Sequence, residues 1–218
     1  MKIIPIKISL LSHFFNYSRL TNQGAITSDF IGDIALNYAL NRVLKLENFY
    51  TEFRTKPKYE ELIKLPYTFT VAKPVSYEWT PIYIRNTLFN VDGYPDLKAI
   101  DLSGKSPFKN FFKVQGIQVG SEFTVFLICK KEFNVKLPFV IRLGTGRETL
   151  ALLEKHTKSN SEQAWLNVFS LKNIYGNFET SVNFIRNYQF EFRLQNYILW
   201  KGVKVEHLEK IFEDRFDD

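Results

Sequence analysis

Ile4, Ile6, Ile8 and Leu10 alternate with Pro5, Lys7, Ser9 and Leu11, a period of two that predicts a strand with one apolar face. A polar stretch over 16–27 reads as a loop ending at Ser28, a suitable N-cap, with Asp29 placed to meet the helix dipole. From 29 to 44 the period changes to that of a helix. Asp29, Asp33, Asn37 and Asn41 recur every four residues as one polar stripe. Phe30, Ile31, Ile34, Ala35, Tyr38, Ala39 and Val43 fill the rest of the surface. So apolar a helix must lie mostly buried, across a sheet.

Between 46 and 120 the pattern is broken by Pro57, Pro66, Pro74, Pro81 and Pro95. Short strands are expected at 67–72 and 81–89. The glycine-punctuated tract 93–120 reads as an inserted arm or thumb at about 90–120 within a single domain spanning 1–218. Regularity returns at 123–129, a near-continuous apolar run of the buried-strand kind. A strand at 137–143 is stopped by Gly144, Thr145 and Gly146, and 147–156 reads as a short helix. Strands follow at 164–169 and 188–194, an edge strand at 197–200, and a last amphipathic helix built on Val205, Leu208, Ile211 and Phe212. This order predicts an α+β fold: a mainly antiparallel sheet with covering helices, of ferredoxin-like (RNA-recognition-motif) type.

Composition sharpens the picture in two ways. With 45% hydrophobic residues, 21 Phe and 11 Tyr, the 218-residue chain can build a large core. The excess of 29 Lys and Arg over 23 Asp and Glu, a formal charge of +6, suits a polyanionic partner. The single cysteine, Cys129, lies in the apolar run, which predicts a buried, inert thiol and excludes both an internal disulfide and a thiolate zinc site. The chain has no signal-peptide pattern and no long apolar stretch, so a cytoplasmic protein that does not enter a membrane is expected.

A catalytic centre does not emerge from the spacing. His13, His156 and His207 form no metal-ligand pattern, so no metal or cofactor is expected. Asp92, Asp96 and Asp101 fall in a Gly/Pro-rich stretch and fit turn residues. The pair of glycines at 144 and 146 lacks the third glycine and the lysine of a phosphate loop. His13, at the end of the first strand, is the one group placed to act as a general base on a ribose hydroxyl.

Three segments combine cations that neutralise phosphates, glycines that let a backbone approach, and aromatic faces for unpaired bases. The first contains Tyr17, Ser18 and Arg19. The second, KSPFKNFFKVQG, alternates Lys105, Lys109 and Lys113 with Phe108, Phe111 and Phe112. In the third, Arg142 and Arg147 enclose Gly144 and Gly146. A strand-to-helix turn at this third segment would also aim helix N–H groups at a phosphate.

Two stretches carry a family resemblance. SRLTNQGAITSDFIGDIALNYAL at 18–40 and LPFVIRLGTGRETL at 137–150 resemble segments of the handle-capping subunit of type I-D CRISPR Cascade, the Csc-one branch of the Cas-five superfamily. Asp33 stands where the family pattern has Asn, and Thr145 where it has Lys, so one cation is missing from the turn. The resemblance implies a ferredoxin-like domain with a projecting thumb. The function it implies is non-catalytic: binding the 5′ handle of the CRISPR RNA (crRNA). The implied neighbours are a large Cas-ten-like subunit and a Cas-seven-like backbone subunit, with target DNA near the protospacer-adjacent motif as a further contact. Two alternatives stand beside it: a metal-independent CRISPR RNA-processing endoribonuclease using His13, and a scaffold whose aromatic arm binds only protein.

Overall fold

The structure is a computed structural model that describes residues 1–21, 24–49, 58–86, 111–144, 148–156, 163–176, 189–194 and 197–216. Among these residues the strands form three sheets. The largest has the order β4-β8-β1-β10-β9, with β5 also paired to β8. Its members are β1 (Lys2–Leu10), β4 (Tyr67–Phe69), β5 (Lys73–Ser76), β8 (Glu122–Cys129), β9 (Phe139–Leu143) and β10 (Thr149–Lys155). Every pairing in it is antiparallel. A small sheet runs β2-β3-β7-β6, from β2 (Tyr17–Thr21), β3 (Gly24–Thr27), β6 (Tyr83–Asn86) and β7 (Phe111–Gln115), with β3 and β7 parallel. The third, β11-β13-β12, joins β11 (Gln163–Asn167), β12 (Gln189–Leu194) and β13 (Tyr197–Lys204). Helices α1 (Asp33–Leu44), α2 (Val168–Asn173) and α3 (Val205–Phe216) and a 3-10 turn (Tyr59–Lys64) complete the α+β architecture.

The period-two pattern of β1 places Ile6, Ile8 and Leu10 in the core under α1, as expected. β8 is buried on both faces, which is why its sequence is a continuous apolar run. Phe123, Val125 and Leu127 enter the α1 core, while Phe126 and Ile128 enter a second core with Trp200, Leu208 and Phe212. Cys129 is fully buried, and burial pushes its thiol pKa up.

Several expectations need correction. Of the stretch 147–156, expected as a helix, Thr149–Lys155 is β10, paired with β1 on one side and β9 on the other, and residue 147 lies outside the described residues. The connection from β8 to β10 therefore carries strand β9 where a ferredoxin-like arrangement would place its second covering helix. Residues 16–27 are not a loop; β2 and β3 make a hairpin, with a register irregularity between Tyr17 and Arg19. The segment starting at Tyr197 is no edge strand but the centre of its sheet. Helix α1 starts at Asp33, with Gly32 as N-cap, because Ile31 exchanges backbone hydrogen bonds with Ala72 and is held extended. Of the expected arm, 93–110 lies outside the described residues. Residues 111–115 are β7, and Ile117 is buried in a bridge to Phe14.

The polar stripe of α1 faces inward and is satisfied there. Asp33 Oδ1 accepts from Asn167 Nδ2 at 3.0 Å. Asn37 Oδ1 accepts from Phe69 N at 3.1 Å, and its amide donates to Thr68 Oγ1 and the Tyr175 hydroxyl. Asn41 bonds both the N–H and the carbonyl of Glu47. Gly32 is needed beside Tyr197, whose hydroxyl would lie 2.0 Å from an added Cβ. No helix among the described residues is long and apolar enough to cross a membrane.

Candidate nucleic-acid interface

With its polar stripe turned inward, α1 turns a second stripe toward β9: Ala35, Tyr38 and Arg42, with the buried Ala39 between them, spaced by three and four residues on one helix face. Where this stripe passes β9, alternation along the strand buries Ile141 and Leu143 and leaves Arg142 exposed. The two elements enclose a groove of about 200 Å³ lined by Ala35, Tyr38, Ala39, Arg42, Arg142, Leu143 and Gly144. Two arginines line it, and among the described residues no carboxylate does. A cationic lining of this kind suits an anion. Arg42, in the last helical turn, also complements the negative end of the helix dipole. Tyr38 is fixed by a hydrogen bond to Glu61 Oε1 (3.1 Å) and an edge-on contact with Phe49.

Gly144 follows Arg142 and ends β9 with φ +76. An added Cβ there would meet the Phe15 carbonyl at 2.7 Å and Thr149 Oγ1 at 3.0 Å. On the other side of the same segment, a Cβ on Gly116 would meet the Phe14 carbonyl at 2.6 Å. The chain at 12–15 is thus gripped between two glycines. It is also tied by Thr149 Oγ1 donating to the His13 carbonyl and Leu150 N donating to Ser12 Oγ, both at 2.8 Å. His13 Nδ1 accepts from Val119 N at 3.4 Å. Because β9 leads into a hairpin and not a helix, no helix N-terminus points at this turn, contrary to the expectation from its glycines.

Of the sequence-predicted residues, Arg142 and Gly144 lie together in the groove. Gly146 and Arg147, in the same turn, fall outside the described residues, as do Lys105 and Lys109. Ser18 and Arg19 sit on β2, and Lys113 is exposed on β7; both strands flank β3 in the small sheet. Two of the three predicted segments therefore converge on one sheet. Its outer strand β6 adds Tyr83 and Ile84, exposed by 44% and 62% on opposite faces of the sheet, with Ile84 paired to Lys113. Phe15 links the two regions: its carbonyl abuts Gly144 and its ring contacts Tyr83 edge-on at 6.0 Å. Sequence reasoning missed Arg42 and Tyr38. Their spacing from Ala35 was the available signal, hidden because the whole helix is apolar.

The chain is a CRISPR-associated protein of type I-D, as the family model described as type I-D CRISPR-associated protein Cas5/Csc1 matches residues 1–214. It belongs to that Cas5/Csc1 family, and so is a subunit of the type I-D Cascade effector. No curated protein matches it. Among solved structures, a chain in a cryo-EM structure of type III-B Cmr-beta bound to cognate target RNA and AMPPnP is similar at 10% identity. Its TM-score is 0.48, over 92% of this chain and 84% of that one. A second Cmr-beta structure, bound to cognate target RNA, gives 11% identity and a TM-score of 0.43 over the same shares.

Proposed function

We propose that this subunit binds the 5′ handle of the crRNA and caps it without cleaving it. The observation that carries the proposal is that Arg142 and Arg42 line one groove beside the Gly144 turn, with no carboxylate among its described lining residues. Arg142 and Arg147 hold handle phosphates, and Gly144 and Gly146 shape the turn between them. Arg19 and Lys113, carried on strands of the small sheet, extend the cationic path, with Ser18 as a hydroxyl contact. Lys105 and Lys109 belong to the arm, a thumb that wedges against RNA or a neighbouring subunit. The large Cas-ten-like subunit and the first Cas-seven-like backbone subunit are the neighbours, and target DNA near the protospacer-adjacent motif lies within their shared reach. The ties on His13, through its ring and its carbonyl, support a structural role for it over that of a general base.

Reversing both charges, Arg142→Glu with Arg147→Glu, is expected to lower affinity for handle RNA by tenfold or more while leaving circular dichroism unchanged. Each lost phosphate contact should flatten the dependence of log affinity on log salt by about 0.7. Equal affinity and equal slope for the variant and the parent would end the proposal. Metal-free incubation with labelled repeat RNA provides a separate check. Site-specific cleavage that disappears in His13→Ala would replace capping with processing.

A further inference from the structure

The groove is larger than a phosphate needs, and its lining is of two kinds. Arg42 and Arg142 supply cations, and Ala35, Ala39, Leu143 and Tyr38 supply an apolar surface. Ala35 is exposed although it occupies a helix otherwise packed into the core. A methyl side chain there leaves space that a larger residue would close. Tyr38 cannot swing to fill the space, because its hydroxyl is bonded to Glu61 and its ring rests on Phe49. A groove lined by small apolar side chains, a held tyrosine ring and two arginines suits a flat heteroaromatic ring that carries a phosphate. A lone inorganic anion would leave the apolar surface unused, and an aliphatic side chain would leave both cations unpaired.

We infer that the slot between α1 and β9 receives one unstacked nucleotide of single-stranded RNA. Its base lies on Ala35 and Ala39 against Tyr38, and its phosphate lies between Arg42 and Arg142. This inference rests on the RNA-binding function proposed above, and adds Arg42, Tyr38, Ala35 and Ala39 to the interface. It also assigns the two kinds of lining different sensitivities. The cations respond to salt and to charge, and the apolar surface responds to the presence of a base.

The test uses the full chain and a single-stranded handle RNA, with a series of oligonucleotides each carrying one abasic position. One abasic position is expected to lower affinity about tenfold, within the range set by loss of a single stacked base. Ala35→Phe, which fills the slot from an exposed position, should lower affinity for the intact RNA equally and abolish its discrimination against that abasic RNA. Arg42→Gln should weaken every RNA in the series alike and reduce the salt slope by about 0.7. Unchanged melting temperatures separate these effects from misfolding. If Ala35→Phe and Arg42→Gln bind as the parent does while Arg142→Glu/Arg147→Glu does not, the slot is overturned and the capping function stands. If only Arg42→Gln weakens binding and no abasic position matters, the base is overturned. If the parent shows no salt-dependent affinity for the RNA, both the slot and the function on which it rests fall.

Discussion

Gly144 shows how one position can fix a turn through its backbone alone. Its positive φ and the 2.7 Å between a Cβ and the Phe15 carbonyl both demand glycine. Gly144→Ala is expected to destabilise the protein by roughly 1–3 kcal/mol, measured by thermal or urea unfolding. Because the obstacle is the backbone of 12–15, the strain should spread to the Thr149–His13 bond. Chemical shifts at His13 and Val119 should therefore move with the substitution. An alanine variant of parental stability would show that the turn tolerates a side chain and that the close approach is not a constraint. The sequence announced a special turn here through two glycines between arginines. It did not announce the reason, because Phe15 is distant along the chain.

At the scale of elements, α1 was legible in its period and misleading in its polarity. A stripe of Asp and Asn normally marks solvent, yet here Asp33, Asn37 and Asn41 are buried, the first two bonded to neighbouring elements and Asn41 to Glu47 just beyond the helix. Asp33 is the exposed weakness of that arrangement, since burial raises its pKa from 3.8 to about 6. A carboxyl whose folded pKa lies above its unfolded value favours folding most below the unfolded value. Its contribution is lost as pH rises toward the folded one. The interval corresponds to about 3 kcal/mol, lost between pH 4 and 6 and constant above. Asp33→Asn removes the titration and keeps an acceptor for Asn167. Relative to the parent it should gain about that amount between pH 4 and pH 7 in urea unfolding, and parallel pH profiles would refute it. β10 misled in the opposite sense. Thr149, Ala151 and Leu153 are buried in alternation, a strand pattern, but Leu, Ala and Glu are strong helix formers. Pairing with β1 and β9 decided against local propensity. Tyr197 began what looked like an outer strand because its partners, β11 and β12, lie on either side of it only after the chain folds back.

For the molecule as a whole, β8 is the element common to two cores. Leu127 is buried toward α1 and Ile128 toward Trp200 and α3. Leu127→Ala and Ile128→Ala are each expected to cost about 2–5 kcal/mol. Both should shift one shared unfolding transition, followed by tryptophan fluorescence and circular dichroism together. Two separable transitions, each sensitive to one variant, would show that the cores fold independently. The buried faces of β1 and β8 were readable from the sequence because burial leaves a periodic trace. The groove was readable only in half. Arg142 advertised itself beside glycines, whereas Arg42 became significant only when α1 came to rest against β9.

The contact of Tyr197 with Gly32, beside the bond from Asn167 to Asp33, ties the start of α1 to segments more than 130 positions later. During synthesis, the helix that forms one wall of the groove cannot take its final seat until the residues around 197 have left the ribosome. A nascent or prematurely terminated polypeptide can carry Arg42 and Arg142 and still lack the cleft between them. The groove is therefore completed only in molecules whose translation has gone nearly to completion.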